Sequence, residues 1–445
     1  MGLAVVVGLV SVACGRAADE STSADVIAGT TTTAAVTLPS VVAAPTTGVG
    51  AAPGGADLAP LRVGVALVDF ERLVDLGLLP AGWGDQERLW RLVADGLDRR
   101  GGVAGHPLEL VFSRYLPVGE IEARETCLRL VDDERVHAVV GAFVGPASGA
   151  NDCFLERDDL IVVGGTPPEE QVRAARAAFV GDAILPSRAV PALFDLLERE
   201  GRLDGQTVAV VASAPHRSRV EEIVVPELRA RGIDPLVHID DVVDTDLVAE
   251  EAFWDVTAER LRVEGVTAVV LDGDVSVALA GIARNELEVQ RWVLDADLLA
   301  NLAAFVAPAD AAGAVALGSL TPDEEWDDPE TRVCVDDVAA AGVELVRPSL
   351  VAPGDEDRAA AVRTACTWLG LLDAVGDRAG PGLDAASFRR AAETAGELEL
   401  PGMRYASLGV DKPDADDGAR LVVFDPTVGD RGGLRPLTEL VDLTP

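Results

Sequence analysis

The chain is 445 residues long, 49% hydrophobic, and carries 75 acidic side chains against 37 basic ones, a formal net charge of −38 at pH 7. That length allows two or three domains with a sizeable core. A surface this acidic repels nucleic-acid phosphates and anionic lipid headgroups, which argues against both as partners. The same acidity serves solubility and environmental adaptation, so it does not by itself imply a cationic ligand.

Residues 1–16 carry an address rather than a fold. Leu3 to Ala13 is apolar but too short to cross a bilayer, as in the core of a secretory signal. Cys14 follows Ser11-Val12-Ala13, small residues placed as in a bacterial lipobox, so a signal peptide with Cys14 lipidated is expected. No Lys or Arg precedes the apolar run, and Ser11 stands where an aliphatic residue is usual; a soluble secreted chain is the alternative. Residues 17–59 are rich in Thr, Ala, Pro and Gly with few large apolar groups. Such a segment buries too little surface to offset its ordering entropy and is expected to be a disordered tether.

Beyond the tether, strands and helices alternate. Leu61 to Val68 is an apolar run of the kind that forms a strand buried on both faces. Leu89, Val93 and Leu97 fall at helical spacing between Asp85 and Arg100, and Gly101-Gly102 ends the helix. His106 to Phe112 gives the next strand, completing a βαβ unit whose loop at the strand's carboxyl end is where such sheets bind ligands. A helix over Ile121 to Val131 follows, then strands at His137–Gly141 and Asp159–Gly164. Ser187 to Glu200 reads as a helix with Ser187 as its N-cap. Strands at Gln206–Ala212, Pro235–Ile239, Val266–Leu271 and Arg291–Leu294 alternate with helices at Val220–Arg231, Phe253–Glu264 and Val275–Arg284. These units imply parallel sheets with right-handed crossovers, and a break near Gly181 to Pro186 divides them into lobes at 60–182 and 187–305. Residues 306–445 complete both lobes: Ala314–Leu320 as a strand returning between them, helices at Arg358–Val375 and Ala385–Ala395, and a late strand at Ala419–Phe424.

Four cysteines besides Cys14 form no Cys-x-x-Cys pair, and with 4 histidines in the chain a zinc site is not expected. Helices flanking one strand bring Cys127 and Cys153 together, so Cys127–Cys153 and Cys334–Cys366 are expected as disulfides in an oxidising compartment. The four admit three pairings, and buried free thiols are the alternative. No nucleophile elbow, phosphate-binding loop or His-Glu-x-x-His is present, which points away from catalysis.

Gly82-Trp83-Gly84-Asp85-Gln86-Glu87-Arg88, the helix after it, and Arg100-Gly-Gly-Val-Ala-Gly-His-Pro-Leu-Glu-Leu-Val111 resemble the opening of the type I periplasmic binding proteins, in particular the leucine/isoleucine/valine-binding subfamily. The resemblance extends over about residues 60–425. It implies an α/β fold of two Rossmann-like lobes with parallel sheets and a hinge. It also implies an exported, lipid-anchored or secreted protein that captures a small molecule such as an amino acid without a cofactor. The partners implied are the membrane subunits of an ABC importer, the membrane is reached by the lipid anchor only, and the chain is a monomer. A sensory or structural lipoprotein on the same scaffold is the alternative, since fold does not settle function.

The resemblance also supplies candidate ligand-binding residues. Trp83 stands where a cleft-lining tyrosine is common; a core tryptophan packing the loop is the bland reading. Gly145 and Ser148 lie in the loop that presents hydroxyls and amides to a ligand carboxylate, with most of the usual serines replaced; an ordinary Gly-Pro turn is the alternative. Gly165 and Thr166 match the holders of an amino-acid head group, and Thr166 also reads as a helix cap. In the second lobe His216, Arg217, Asp272, Asp274, Asp295 and Asp297 sit at or just beyond strand ends. Arg217 and Asp274 replace rings, Asp295 or Asp297 lies near an acidic partner of a ligand ammonium, and a solvated surface charge is the alternative for Arg217.

Overall fold

β1 (Leu61–Val68) forms because its eight residues find cover on both faces: Val63, Val65 and Leu67 point into one core and Ala66 into another. The computed structural model describes residues 58–241, 247–273, 275–294, 296, 299 and 306–445. Cys14, the tether up to residue 57, Asp274, Asp295 and Asp297 lie outside the described residues.

Two sheets organise the chain. The first has the order β2-β1-β3-β4-β5, all parallel, where β2 is Leu108–Tyr115, β3 Ala138–Val140, β4 Ile161–Val163 and β5 Ala178–Val180. Val65 pairs with Phe112 on one side and Val140 on the other. One face of this sheet packs on the helices Gln86–Arg100, Pro329–Ala340, Arg358–Ala379 and Ala385–Glu393. The other packs on Glu120–Leu128 and the segment around Phe143 and Phe154. Alternation decides the assignment: Ala138 and Val140 face one core, Val139 the other.

The second sheet has the order β14-β13-β10-β9-β8-β6-β7. Its strands are β6 (Val208–Ser213), β7 (Leu236–Asp240), β8 (Ala268–Asp272), β9 (Gln290–Val293), β10 (Val315–Gly318), β13 (Gly418–Asp425) and β14 (Gly433–Pro436), with β15 (Val441–Asp442) beside β13. A separate two-stranded pair is formed by β11 (Gly396–Glu397) and β12 (Ser407–Leu408). β6 to β10 run parallel, and β13 joins antiparallel to β10.

Three expectations change. Val315–Gly318 does not run between the lobes but is an inner strand of the second sheet, and the chain crosses only after it. Ser187 is not the cap of its helix: the helix runs Pro186–Arg199 with Leu185 at the cap position, because Pro186 presets the first helical φ and has no N–H to satisfy. The short strand β5, just before the expected break at Gly181 to Pro186, closes the first sheet where no strand was expected.

Both disulfides form as expected. Cys127–Cys153 ties the helix Glu120–Leu128 to Asp152–Leu155, and Cys334–Cys366 ties Pro329–Ala340 to Arg358–Ala379. Both lie in the first lobe. Loops of 26 and 32 residues are closed, for which chain entropy gives about 3–4 kcal/mol each. Replacing either pair with alanine is expected to lower the urea unfolding free energy by that amount, and a loss under ~1 kcal/mol would show that the bond does not stabilise the fold.

The lobes are joined by three crossings that run side by side. The first leaves β5 at Gly181, the second leaves β10 at Ser319, and the third, residues 409–417, leads into β13. The Gly181 amide donates to the Pro413 carbonyl and the Ala415 amide to the Gly181 carbonyl, each at 2.8 Å. The Ser319 hydroxyl reaches Asp416 Oδ1 at 3.4 Å. β5 and β10 both run into this junction at their carboxyl ends, so the carboxyl ends of the parallel strands of both sheets are directed toward it, the edge at which such sheets bind ligands.

The third crossing is held by buried charge. Arg188 bridges Asp414 and Asp417, whose side chains are 1% and 0% exposed. Lys412, the chain's only lysine, donates to the carbonyls of Ser407 at 2.6 Å and Asp414 at 2.5 Å and lies 3.1 Å from Asp417. Burial lowers its pKa, with Asp414 and Asp417 opposing.

Candidate functional site

The first-lobe wall is built from loops at the ends of β1, β3 and β4. Trp83 lies 4.6 Å from the Phe70 ring at 32° and packs against the core beneath while remaining half-buried, so part of the ring stays accessible. After β3 the chain turns into a short helical segment, Gly145–Asn151. The amides just before it are already satisfied: Phe143 donates to Asn151 Oδ1 at 2.8 Å and Val144 to the Tyr115 hydroxyl at 3.1 Å. Gly145 is exposed at φ +58°, and the half-buried Ser148 hydroxyl makes no hydrogen bond among the described residues. Thr166 is exposed beyond β4. It caps nothing, because the next helix starts at Glu169 with Pro168 at the cap position.

Trp368 dominates this wall, and sequence reasoning missed it. It lies on the helix Arg358–Ala379, whose apolar periodicity marks it as core, yet it is only partly buried. Its ring covers Gly141 and Gly164, where a Cβ would approach to 2.8 and 2.5 Å, and both glycines have positive φ. The indole Nε1–H donates to Asp182 Oδ2 at 2.7 Å, and Asp182 Oδ1 accepts from the Gly165 amide at 2.7 Å. Glycines ending two adjacent strands, β3 and β4, were the available signal for a covering ring. Nearby, burial pushes the Glu325 carboxyl up against the opposing charge of Arg363, and Asp182 and Asp328 add to the rise.

The second-lobe wall follows β6. Asp272 ends β8 and pairs in register with Ala212 of β6, which carries the chain directly into His216 and Arg219. Asp272 Oδ1 accepts from His216 Nδ1 at 2.9 Å, Oδ2 from Arg219 Nε at 2.8 Å, and Arg219 Nη2 closes the ring of contacts. Burial opposes ionisation of Asp272, but the Arg219 charge and the His216 hydrogen bond overcome it and hold the carboxyl below its usual range. Asp272 is buried, and its two oxygens are engaged by His216 and Arg219. Arg217 forms exposed pairs with Asp241 at 2.8 Å and Glu221 at 3.8 Å, its surface reading. Arg219, two residues on, is the missed member; an arginine three residues after His216 in the same turn was the signal.

A hollow of about 590 Å³ lined by Gln206, Thr267, Gln290 and Arg291 lies at the amino ends of β8 and β9, away from the cleft. Among the described residues, no cluster of three or more His, Cys, Asp or Glu could hold a metal, and no helix is long and apolar enough to cross a membrane.

No protein-family model and no curated protein matches the chain. Solved structures do. A type 1 periplasmic binding protein from Bordetella pertussis superposes with TM-score 0.61 at 12% identity, over 85% of this chain and 100% of that one. A solute-binding protein of an ABC transporter from Rhodopseudomonas palustris, in complex with p-hydroxybenzoic acid, gives 0.58 at 14% identity over 87% and 98%. A leucine-binding protein from Thermotoga maritima gives 0.59 at 13% identity over 86% and 99%. The chain has the type I periplasmic binding protein fold, α/β with two Rossmann-like lobes.

Proposed function

We propose that this chain is an exported solute-binding protein that captures a small molecule between its lobes by hinge closure and delivers it to an ABC importer. The observation that carries the reading is the junction itself. Three adjacent crossings hold two sheets with their carboxyl edges beside one cleft, and part-exposed Trp83, Trp368, His216 and Arg219 stand at those edges. In this reading residues 60–182 and 187–305 are the lobes and 306–445 complete both. Residues 1–16 direct export with Cys14 as the lipid anchor, 17–59 tether the domain, and the chain acts as a monomer without catalysis. Ligand contacts fall to Trp83, Gly145, Ser148, Gly165, Thr166, His216 and Asp274, with Asp295 and Asp297 beside them.

The test is the thermal midpoint of the purified full chain against aromatic acids, amino acids and amides. A ligand that binds only the native form stabilises it by about 2.7 kcal/mol at a hundredfold excess over its dissociation constant. An upward shift with one chemical class supports the reading. A flat panel from folded protein overturns it and favours a sensory or structural role.

A further inference from the structure

We propose that the cleft takes a monocarboxylate on a flat aromatic body, with the carboxylate held by Arg219 of the second lobe and the ring against the tryptophans of the first. This rests on the solute-binding reading above and adds the ligand's charge, shape and orientation.

The corner of the first-lobe wall beneath Trp368 has no place for an anion. Asp182 brings a carboxylate of its own to the end of β4 and consumes both donors there, the Gly165 amide and the Trp368 indole N–H. Asp182 and Asp328 both lie close enough to Glu325 to interact with it electrostatically. A ligand acid entering that corner meets like charge and filled donors, an arrangement that rejects anions as firmly as a direct clash. What the wall does offer is ring surface. Trp368 is fixed over Gly141 and Gly164 and by its bond to Asp182, and Trp83 is fixed against Phe70, so neither ring loses much freedom when a flat molecule stacks on it.

The second-lobe wall is the reverse. Asp272 uses Arg219 Nε and Nη2 and His216 Nδ1, and its side chain is 2% exposed. Arg219 Nη1 and His216 Nε2 make no hydrogen bond among the described residues, and these side chains are 29% and 34% exposed. A guanidinium locked in plane by a buried carboxylate, with donors left over at the rim, is preorganised for a second carboxylate. The alternative that Arg219 exists only to neutralise Asp272 does not account for an arginine and a histidine converging on one acid while the arginine keeps its Nη1 donors unengaged among the described residues.

Calorimetric titration of the full chain with benzoate, 4-hydroxybenzoate, benzamide and L-leucine tests this. The expected result is binding of the two benzoates, with benzamide at least tenfold weaker. In the Arg219→Gln variant the benzoates weaken by about 10- to 100-fold, the loss of one hydrogen bond to a charged group, while benzamide is unchanged. Arg219→Lys keeps the charge but not the fork, and falls between. Should R219Q fail to fold because Asp272 is left unpaired, the double variant R219Q/D272N removes both charges together and carries the same expectation. Leucine binding with the benzoates silent, or benzoate binding indifferent to Arg219, overturns the inference and leaves solute binding standing. Silence of all four probes with folded protein overturns the inference, and the wider midpoint panel then decides separately whether solute binding survives.

Discussion

Arg188→Ala is expected to cost the folded chain about 3–5 kcal/mol, the usual consequence of removing one partner of a buried ion pair. Arg188 is the cation that joins the first crossing to the third: it sits at the start of the helix Pro186–Arg199 and bridges Asp414 and Asp417, and it also donates to the Leu443 carbonyl at 3.1 Å. Neither carboxylate has water to turn to. Asp417 keeps Lys412 at 3.1 Å and the Ser407 hydroxyl, but Asp414 is left with the Leu185 amide at 3.1 Å as its side-chain partner. Arg188→Met, which preserves volume and removes charge, is expected to lose nearly as much, because the cost lies in the stranded carboxylates rather than in a cavity. Arg217→Ala is the control. Its partners Asp241 and Glu221 are 69% and 61% exposed, and such surface pairs contribute about 0–1 kcal/mol. Urea denaturation at unchanged slope measures all three, and a loss under ~1 kcal/mol for Arg188→Ala would mean that the crossing is held by its backbone hydrogen bonds alone.

The same network marks where sequence reasoning stops. β1 and the helix Val275–Arg284 were legible to the residue because a strand covered on both faces must be continuously apolar and a core-facing helix must repeat its apolar positions. Cys127–Cys153 was legible because a short βα unit brings neighbouring helices together, and Cys334–Cys366, on successive helices with no strand between them, followed as the remaining pair. Asp411-Lys412-Pro413-Asp414-Ala415-Asp416-Asp417, by contrast, reads as a solvated acidic turn. It is mostly buried because Arg188 lies 226 residues from Asp414 in the chain and arrives only when the lobes are joined. Trp368 and Asp182 fall in the same class. Each follows a local rule, a core helix position and a strand-end acid, and their contact spans 186 residues of chain. His216 and Asp272 were singled out because strand ends are where α/β sheets gather functional side chains, whereas Arg219, in the same turn as Arg217, was passed over.

Asp416 gives the junction a pH dependence of definite sign. Burial is the main cause that pushes its carboxyl up to about 7; the Gly418 amide and the Ser319 hydroxyl pull it down, and Asp417 and Glu325 push it further up. The folded state therefore holds a proton that the unfolded chain, titrating near 3.8, releases. Stability from this group is complete below the unfolded value and is lost as pH rises through about 7, at up to ~1.4 kcal/mol per pH unit. Asp272 works in the opposite sense, with its carboxyl held down, so its contribution is lost only as pH falls below the usual carboxylate range. Asp373, pushed up to about 7 by burial and then by Asp377, adds to the same slope as Asp416 from the helix Arg358–Ala379 in the first lobe. Asp416→Asn keeps an oxygen to accept from Gly418 and Ser319 and removes the titration. Its stability relative to the wild-type chain is expected to rise from pH 5 to about pH 7 and to level off by pH 8, and the wild-type slope below pH 7 to fall by the Asp416 share while the Asp373 share remains. Urea midpoints at unit pH steps measure both. A constant difference would mean that Asp416 is ionised throughout, leaving Arg188 and Lys412 to balance three carboxylates instead of two where the chain crosses between the lobes.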